Sequence, residues 1–221
     1  MPPRFAHRGL MLDVCRHYVP IDYIYKFIDL LAMNKMNVFH WHLTDDQGWR
    51  IEIKKYPKLT EIGSKREKTL VDYYYVNYPQ VFDGEEHEGY YTQEQIKDVV
   101  AYAASKYINV VPEIEMPAHS NAALAAYPLL ACPVVNKYIG VLPGLGGENA
   151  DVIYCAGNDS VFTFLQDVLD EVLELFPSKY IHLGGDEARK THWEACPLCQ
   201  ARMKQEKLEN EEELQGYFMG R

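Results

Sequence analysis

Apolar residues along this chain follow two alternating rhythms. Short continuous runs, read as buried strands, are separated by stretches with the three-and-four spacing of amphipathic helices. Gly9-Leu10-Met11-Leu12 is the first run; Pro20 then precedes a helical face of Ile21, Ile24, Tyr25, Ile28, Leu31 and Ala32. Residues Met36 to Leu43, β-branched and aromatic, suit a second strand. Thr92 with Gln95 makes a capping box, and Ile96, Val99, Val100 and Ala103 form the face of the helix it opens. Ile108 to Glu113 reads as a third strand. Val161, Phe164, Leu165, Val168, Leu169, Val172 and Phe176 mark a further helix, and Tyr180 to Gly185 a fourth strand closed by two glycines. A helix is expected near Trp193–Lys207 and another opening at Asn210, with Glu213 as box partner and Leu214, Tyr217 and Phe218 on its apolar side.

Strands alternating with helices imply a parallel sheet with right-handed crossovers, an α/β architecture. Long segments follow the strands, from about Thr44 to Tyr91 and again to about Asp159, while the helix-to-strand links are short. That asymmetry predicts a (β/α) barrel whose chemistry sits on the loops after the strands. Four β/α units are legible where a closed barrel has eight, so residues 1–221 are expected to form a single domain amounting to half a TIM barrel, with no separate domain before it. The last helix reads as cut in mid-element at Arg221. Its first and fourth strands would be open edges, which invite pairing. The expectation is a homodimer or oligomer completing the barrel about a two-fold axis, or a separate chain supplying the other half.

Composition narrows the function. The 48% hydrophobic and 24% charged content is that of an ordinary globular chain. A net charge of −10 without a basic run argues against a nucleic-acid partner. No apolar stretch is long enough to span a bilayer, so no membrane partner is expected. Met1 to Phe5 lacks an apolar leader core; the chain is read as cytosolic as written or as one whose leader has been removed. Of the five cysteines, Cys196 and Cys199 form a C-x-x-C that is half of a four-thiolate zinc site, with no second pair after it. Incidental thiols or one local disulfide fit this better than metal.

Residues just past each strand would meet in one bowl: Asp13, Arg16, His17 and Tyr18; then Thr44, Asp45, Asp46, Gln47, Gly48 and Trp49; then Glu115, Pro117 and His119; then Asp186 and Glu187. One fixed cation, several carboxylates and nearby aromatics suit a neutral polyhydroxylated substrate. Phosphate would call for a Gly-rich cradle and more cations. The adjacent carboxylates Asp186-Glu187 are costly to place without use and suit acid/base chemistry; a helix-start pair is the alternative for them. His40 and His42 share a strand face as H-x-H with no third ligand at metal spacing. His182 reads as a satisfied core histidine, and Tyr73, Tyr74, Tyr75 and Tyr78 as a sugar platform or a packed loop.

RGLMLDVCRHY, NKMNVFHWHLTDDQGWRIEI, VVPEIEMPAHS and HLGGDE, in this order, resemble the catalytic domain of glycoside hydrolase family 20, the β-N-acetylhexosaminidases, from about Pro3 to the end. The resemblance implies cleavage of terminal β-linked N-acetylhexosamine (GlcNAc or GalNAc) from glycans by substrate-assisted retaining catalysis, an exception to the two-carboxylate scheme. It implies no cofactor and no metal, and full-length relatives that are exported. Glu187 would be the general acid and then the base, with a pKa raised by burial and by Asp186. Asp186 would orient the substrate acetamido group. Among the substrate-binding positions, Arg16 matches the arginine that grips sugar hydroxyls, and Asp45 and His119 match an Asp/His relay behind the acid. Alternatives are an incomplete, inactive half-barrel that self-associates without a full pocket, and a barrel hydrolase using two carboxylates directly, which needs a nucleophile about 5 Å from the acid.

Three departures from the family pattern stand out. Ala118 replaces a common glycine before the histidine, which matters if that position needs positive φ. Residues 1–221 are read as carrying neither the small α/β domain that usually precedes the barrel nor the second half, which in the family supplies pocket tryptophans and a tyrosine. Trp41, Trp49 and Trp193 match none of those positions.

Overall fold

A computed structural model describes residues 3–71, 79–145 and 150–221. Its centre is a parallel sheet of β1 (Gly9–Asp13), β2 (Val38–His42) and β7 (Asn109–Glu113), in the order β1-β2-β7. The register aligns Asp13 with His42 and His42 with Glu113, so three ionisable side chains end the strands in one row.

Crossover helices α1 (Ile21–Met33), α3 (Gln93–Ser105) and α5 (Asp159–Leu175) cover the sheet, α1 packing on α3 and α3 on α5. Each follows its apolar period. Ile24, Ile28 and Leu31 of α1, Ile96, Val99 and Ala103 of α3, and Val161, Phe164, Leu165, Val168 and Val172 of α5 are buried. Phe39 and Trp41 of β2 are fully buried and stack 5.4 Å apart. The capping box of α3 has both its bonds: Gln95 N–H donates to Thr92 Oγ1 (3.2 Å) and Thr92 N–H to Gln95 Oε1 (2.9 Å).

The expected fourth strand is only partly a strand. His182 pairs in parallel with Glu113 at one position, His182 N–H donates to Pro112 O (2.9 Å), and Ile114 N–H to His182 O (3.0 Å). The segment has the right place and direction, but Gly184 (φ 64°) and Gly185 (φ 98°) turn the backbone away before a ladder forms. His182 is therefore not a core histidine. Its side chain is half-exposed on the sheet edge, although it does find a partner, with Nδ1 2.7 Å from Glu113 Oε1.

The long post-strand segments carry small elements. The first holds the hairpin β3 (Thr44–Asp45)/β4 (Gly48–Trp49), helix α2 (Lys58–Glu61) and the hairpin β5 (Lys65–Arg66)/β6 (His87–Glu88); the tyrosines at 73–75 and 78 lie outside the described residues. The second holds α4 (Asn121–Ala126) and a 3-10 turn at Pro128–Leu130. The tail helix expected over 193–207 is two helices, α6 (Thr191–Ala195) and α7 (Pro197–Glu206). Pro197 lacks an N–H and starts a new helix rather than continuing the old one. Helix α8 (Glu211–Gly220) is capped by Asn210 Oδ1, which accepts from Glu213 N–H (2.9 Å). Among the described residues no helix is long and apolar enough to cross a membrane.

Candidate active site

The post-strand loops converge, and Arg50 holds two of them. This fully buried guanidinium donates to the carbonyls of Val14 (3.1 Å) and Cys15 (2.9 Å) after β1, of Gln47 (3.3 Å) in the β3–β4 turn, and of Ser64 (2.7 Å) and Gly89 (2.9 Å) beyond. Gly48 is required beside it, because a Cβ there would run into the guanidinium. Asp13 shapes the first loop by accepting from Cys15 N–H (2.8 Å) and Arg16 N–H (3.1 Å) through Oδ1. Its other oxygen takes Arg16 Nη1 at 3.0 Å.

Asp45 is the hub. Its carboxylate is wholly buried; Oδ2 meets Arg16 Nη2 at 2.8 Å and His42 Nε2 at 3.0 Å, and Oδ1 lies 3.3 Å from His119 Nδ1. Burial alone would raise this carboxyl, but hydrogen bonds from His119 and His42 and the charge of Arg16 hold it well below the usual range. Hydrogen bonds to Asp45 and Asp46, working against burial, push His119 up to about 11. These contacts favour the protonated ring, and its Nε2 faces both Glu187 Oε2 (3.6 Å) and Asp186 Oδ2 (3.7 Å). All five residues expected from the sequence meet in one chain of contacts, Arg16–Asp45–His119–Asp186/Glu187. Asp45, being buried, can act on a substrate only through its neighbours.

Backbone conformation sets this geometry. Gly184, Gly185 and Glu187 (φ 49°) all have positive φ, and the turn they make thrusts the two carboxylates out of the sheet edge. Gly184 is also a close-approach position, since a Cβ would strike the Glu115 carboxyl. The left-handed residue of the third loop is His119 itself (φ 50°), so the methyl of Ala118 meets no such constraint. The expected burial of Glu187 is not found: its side chain is 78% exposed and that of Asp186 65%. The walls that would enclose them are not formed by the described residues, and Trp41, Trp49 and Trp193 are all in the core.

Two further carboxylates lie beside this chain of contacts. Glu113 collects His40 Nε2 (2.7 Å), His182 Nδ1 (2.7 Å) and His42 Nδ1 (3.4 Å). The third group missing from the H-x-H pattern is therefore a glutamate at the same register position on the next strand, a signal visible only once the strands are aligned. Glu115, 3% exposed, lies with its carboxyl against Gly184 and 3.8 Å from His42 Nε2. Burial, joined by the charges of Asp45, Glu113 and Asp186 and opposed by His119, lifts it to about 8. The His17 ring packs at a tilt on His87, centroids 4.0 Å apart, and Tyr18 N–H donates to His87 Nε2 (2.8 Å), so these contacts brace the first loop.

Among the described residues, four sets bring ligand atoms close enough for a metal: Cys132, Cys155, Cys196 and Cys199; His40, Glu113 and His182; His42, Glu113 and Glu115; and Asp45, Asp46 and His119. In the histidine–carboxylate sets an imidazole nitrogen lies 2.7–3.3 Å from a carboxylate oxygen.

Residues 5–221 match the model of the glycosyl hydrolase family 20 catalytic domain. The chain belongs to family 20. A β-hexosaminidase of Porphyromonas gingivalis is 52% identical over 98% of this chain, which covers 26% of that protein. A crystal structure of a β-N-acetylhexosaminidase superposes with a TM-score of 0.88 at 39% identity, over 99% of this chain and 44% of that one. An exo-β-N-acetylglucosaminidase of Vibrio harveyi, solved with N-acetylglucosamine, gives 0.82 at 37% identity, over 98% and 33%. These family 20 neighbours have a (β/α) barrel fold. The chain spans about a quarter to two fifths of the length of the curated relatives it matches.

Proposed function

We propose that this family 20 chain carries the acid/base side of a β-N-acetylhexosaminidase site acting on terminal GlcNAc or GalNAc. The observation that carries the reading is the placement of His119 Nε2 within 3.7 Å of both Asp186 and Glu187, while Nδ1 is anchored on buried Asp45. In the first step Glu187 gives its proton to the glycosidic oxygen as the C1–O bond breaks. The substrate's own acetamido oxygen bonds to C1, forming an oxazolinium ion, while Asp186 accepts the acetamido N–H. In the second step the Glu187 carboxylate takes a proton from water, whose oxygen attacks C1 and reopens the ring. The His119 imidazolium stabilises the carboxylate left when the acid has given up its proton. Arg16, held by Asp13 and Asp45, offers its fork to sugar hydroxyls.

The printed activities of the relatives support this substrate class. The test is hydrolysis of a chromogenic β-N-acetylglucosaminide beside Glu187→Gln. The variant is expected to lose roughly 100-fold or more in kcat, the scale of general acid–base catalysis; unchanged turnover would overturn the assignment.

The exposure of Asp186 and Glu187 favours a second reading for the 221 residues on their own. In that reading the carboxylates are in place but the pocket that should enclose them is not, and turnover waits for further β/α units or a second copy. Activity confined to an assembled species in a sedimentation-sorted sample would support it.

A further inference from the structure

We propose that Cys132, Cys155, Cys196 and Cys199 form a structural tetrathiolate zinc site. The four thiols are 0–2% exposed, and their Sγ atoms lie within 4.8 Å of one another. The separations Cys132–Cys199, Cys155–Cys196 and Cys155–Cys199 are 3.8, 3.8 and 3.7 Å. A tetrahedron with Zn–S bonds of about 2.3 Å has edges of about 3.8 Å, so the sulfurs already stand where such an ion would hold them. None of these pairs is at disulfide bonding distance, about 2.05 Å.

The sulfurs arrive from three separate stretches. Cys132 follows the 3-10 turn, Cys155 precedes α5, and Cys196 and Cys199 bracket the α6–α7 junction. The second pair that C-x-x-C lacked is therefore Cys132 and Cys155, drawn together by the Ala131–Tyr154 bridge rather than by spacing. The junction is built for close approach: a Cβ on Gly157 would strike the Leu198 carbonyl and the Cys199 amide.

Zn2+ would replace four thiol protons, which leave to solvent, and the closed, buried ligand set has no open position for substrate. Its effect is mechanical. It staples the loop after β7 to α6, which begins four residues after Glu187, alongside the bond from Trp193 Nε1 to Tyr154 O (2.8 Å). Cys15, whose thiol donates to His42 O at 3.0 Å, stands outside the set.

The test is metal analysis of the protein purified without added metal, with X-ray absorption at the zinc edge. The expected result is about one zinc per chain with four sulfur neighbours at about 2.3 Å. The zinc should be retained in Cys15→Ser and lost in Cys155→Ser and Cys199→Ser. Because those variants could fail to fold, the wild-type spectrum and a fall in wild-type melting temperature on chelation stand independently. A folded, reduced protein that holds no zinc and takes up none would overturn the proposal. So would iron in the site, or a zinc edge dominated by nitrogen or oxygen neighbours.

Discussion

His119 Nε2 stands 3.6 Å from Glu187 Oε2 across a loop junction that no hydrogen-bonded strand ladder spans. The contact exists because His119 and Glu187 both adopt positive φ, at 50° and 49°, so each turns its side chain toward the other. Behind it lies a buried charge pair. Asp45→Asn is expected to leave the His119 imidazolium and Arg16 without their shared counter-charge. Breaking a buried pair costs about 3–5 kcal/mol, read as a lowered denaturation midpoint. His119→Gln should lower kcat more than it raises KM, because the imidazolium stabilises the carboxylate formed during the reaction.

Stability should fall on the alkaline side. His119 and Glu115 both bind protons more tightly folded than unfolded, with folded values of about 11 and about 8. The folded state therefore holds more protons than the unfolded state from about 4.5 to 8 for Glu115 and from about 6.5 to 11 for His119, and stability declines with rising pH across both windows. Asp45, held low, acts oppositely: its contribution is present above its unfolded value near 3.9 and is lost as pH falls below it. Thermal melts between pH 5 and 9 should show the decline, and Glu115→Gln should flatten its lower part.

Arg50→Met tests the scaffold apart from the chemistry. It would orphan several buried carbonyls now served by one guanidinium, at about 1–3 kcal/mol for each group left unpaired. The expected result is a large loss of melting temperature; a shift of a degree or two would show that water replaces the guanidinium.

The elements were legible where the apolar period is strong, as in α1, α3 and α5, helped at α3 by its capping box, and the motif order named the five residues that the structure brings into one chain of contacts. What escaped depends on register and on backbone sign. Glu113 joins His40 and His42 only once β2 and β7 align His42 with Glu113. The fourth strand read as regular because apolar pattern says nothing of the left-handed turn at Gly184 and Gly185. Arg50 looked like any charged residue, since burial on carbonyls leaves no periodic trace.

The open edges carry their own expectation. Leu10 and Met11 on edge strand β1 are each 51% exposed, and beyond the segment containing His182 no strand follows among the described residues. The 221-residue chain should self-associate at micromolar concentration in sedimentation, completing its sheet with a second copy. A stable, compact monomer would contradict this.

In the proposed mechanism Asp186 and Glu187 serve a nucleophile carried by the substrate. The most direct measurement compares hydrolysis of a chromogenic β-N-acetylglucosaminide with that of the matching β-glucoside, which has a hydroxyl in place of the acetamido group. Turnover of the first alone is expected, with β-configured product and loss of that turnover in Asp186→Asn. Comparable cleavage of the glucoside, or a glycosyl group trapped on a protein carboxylate, would contradict it.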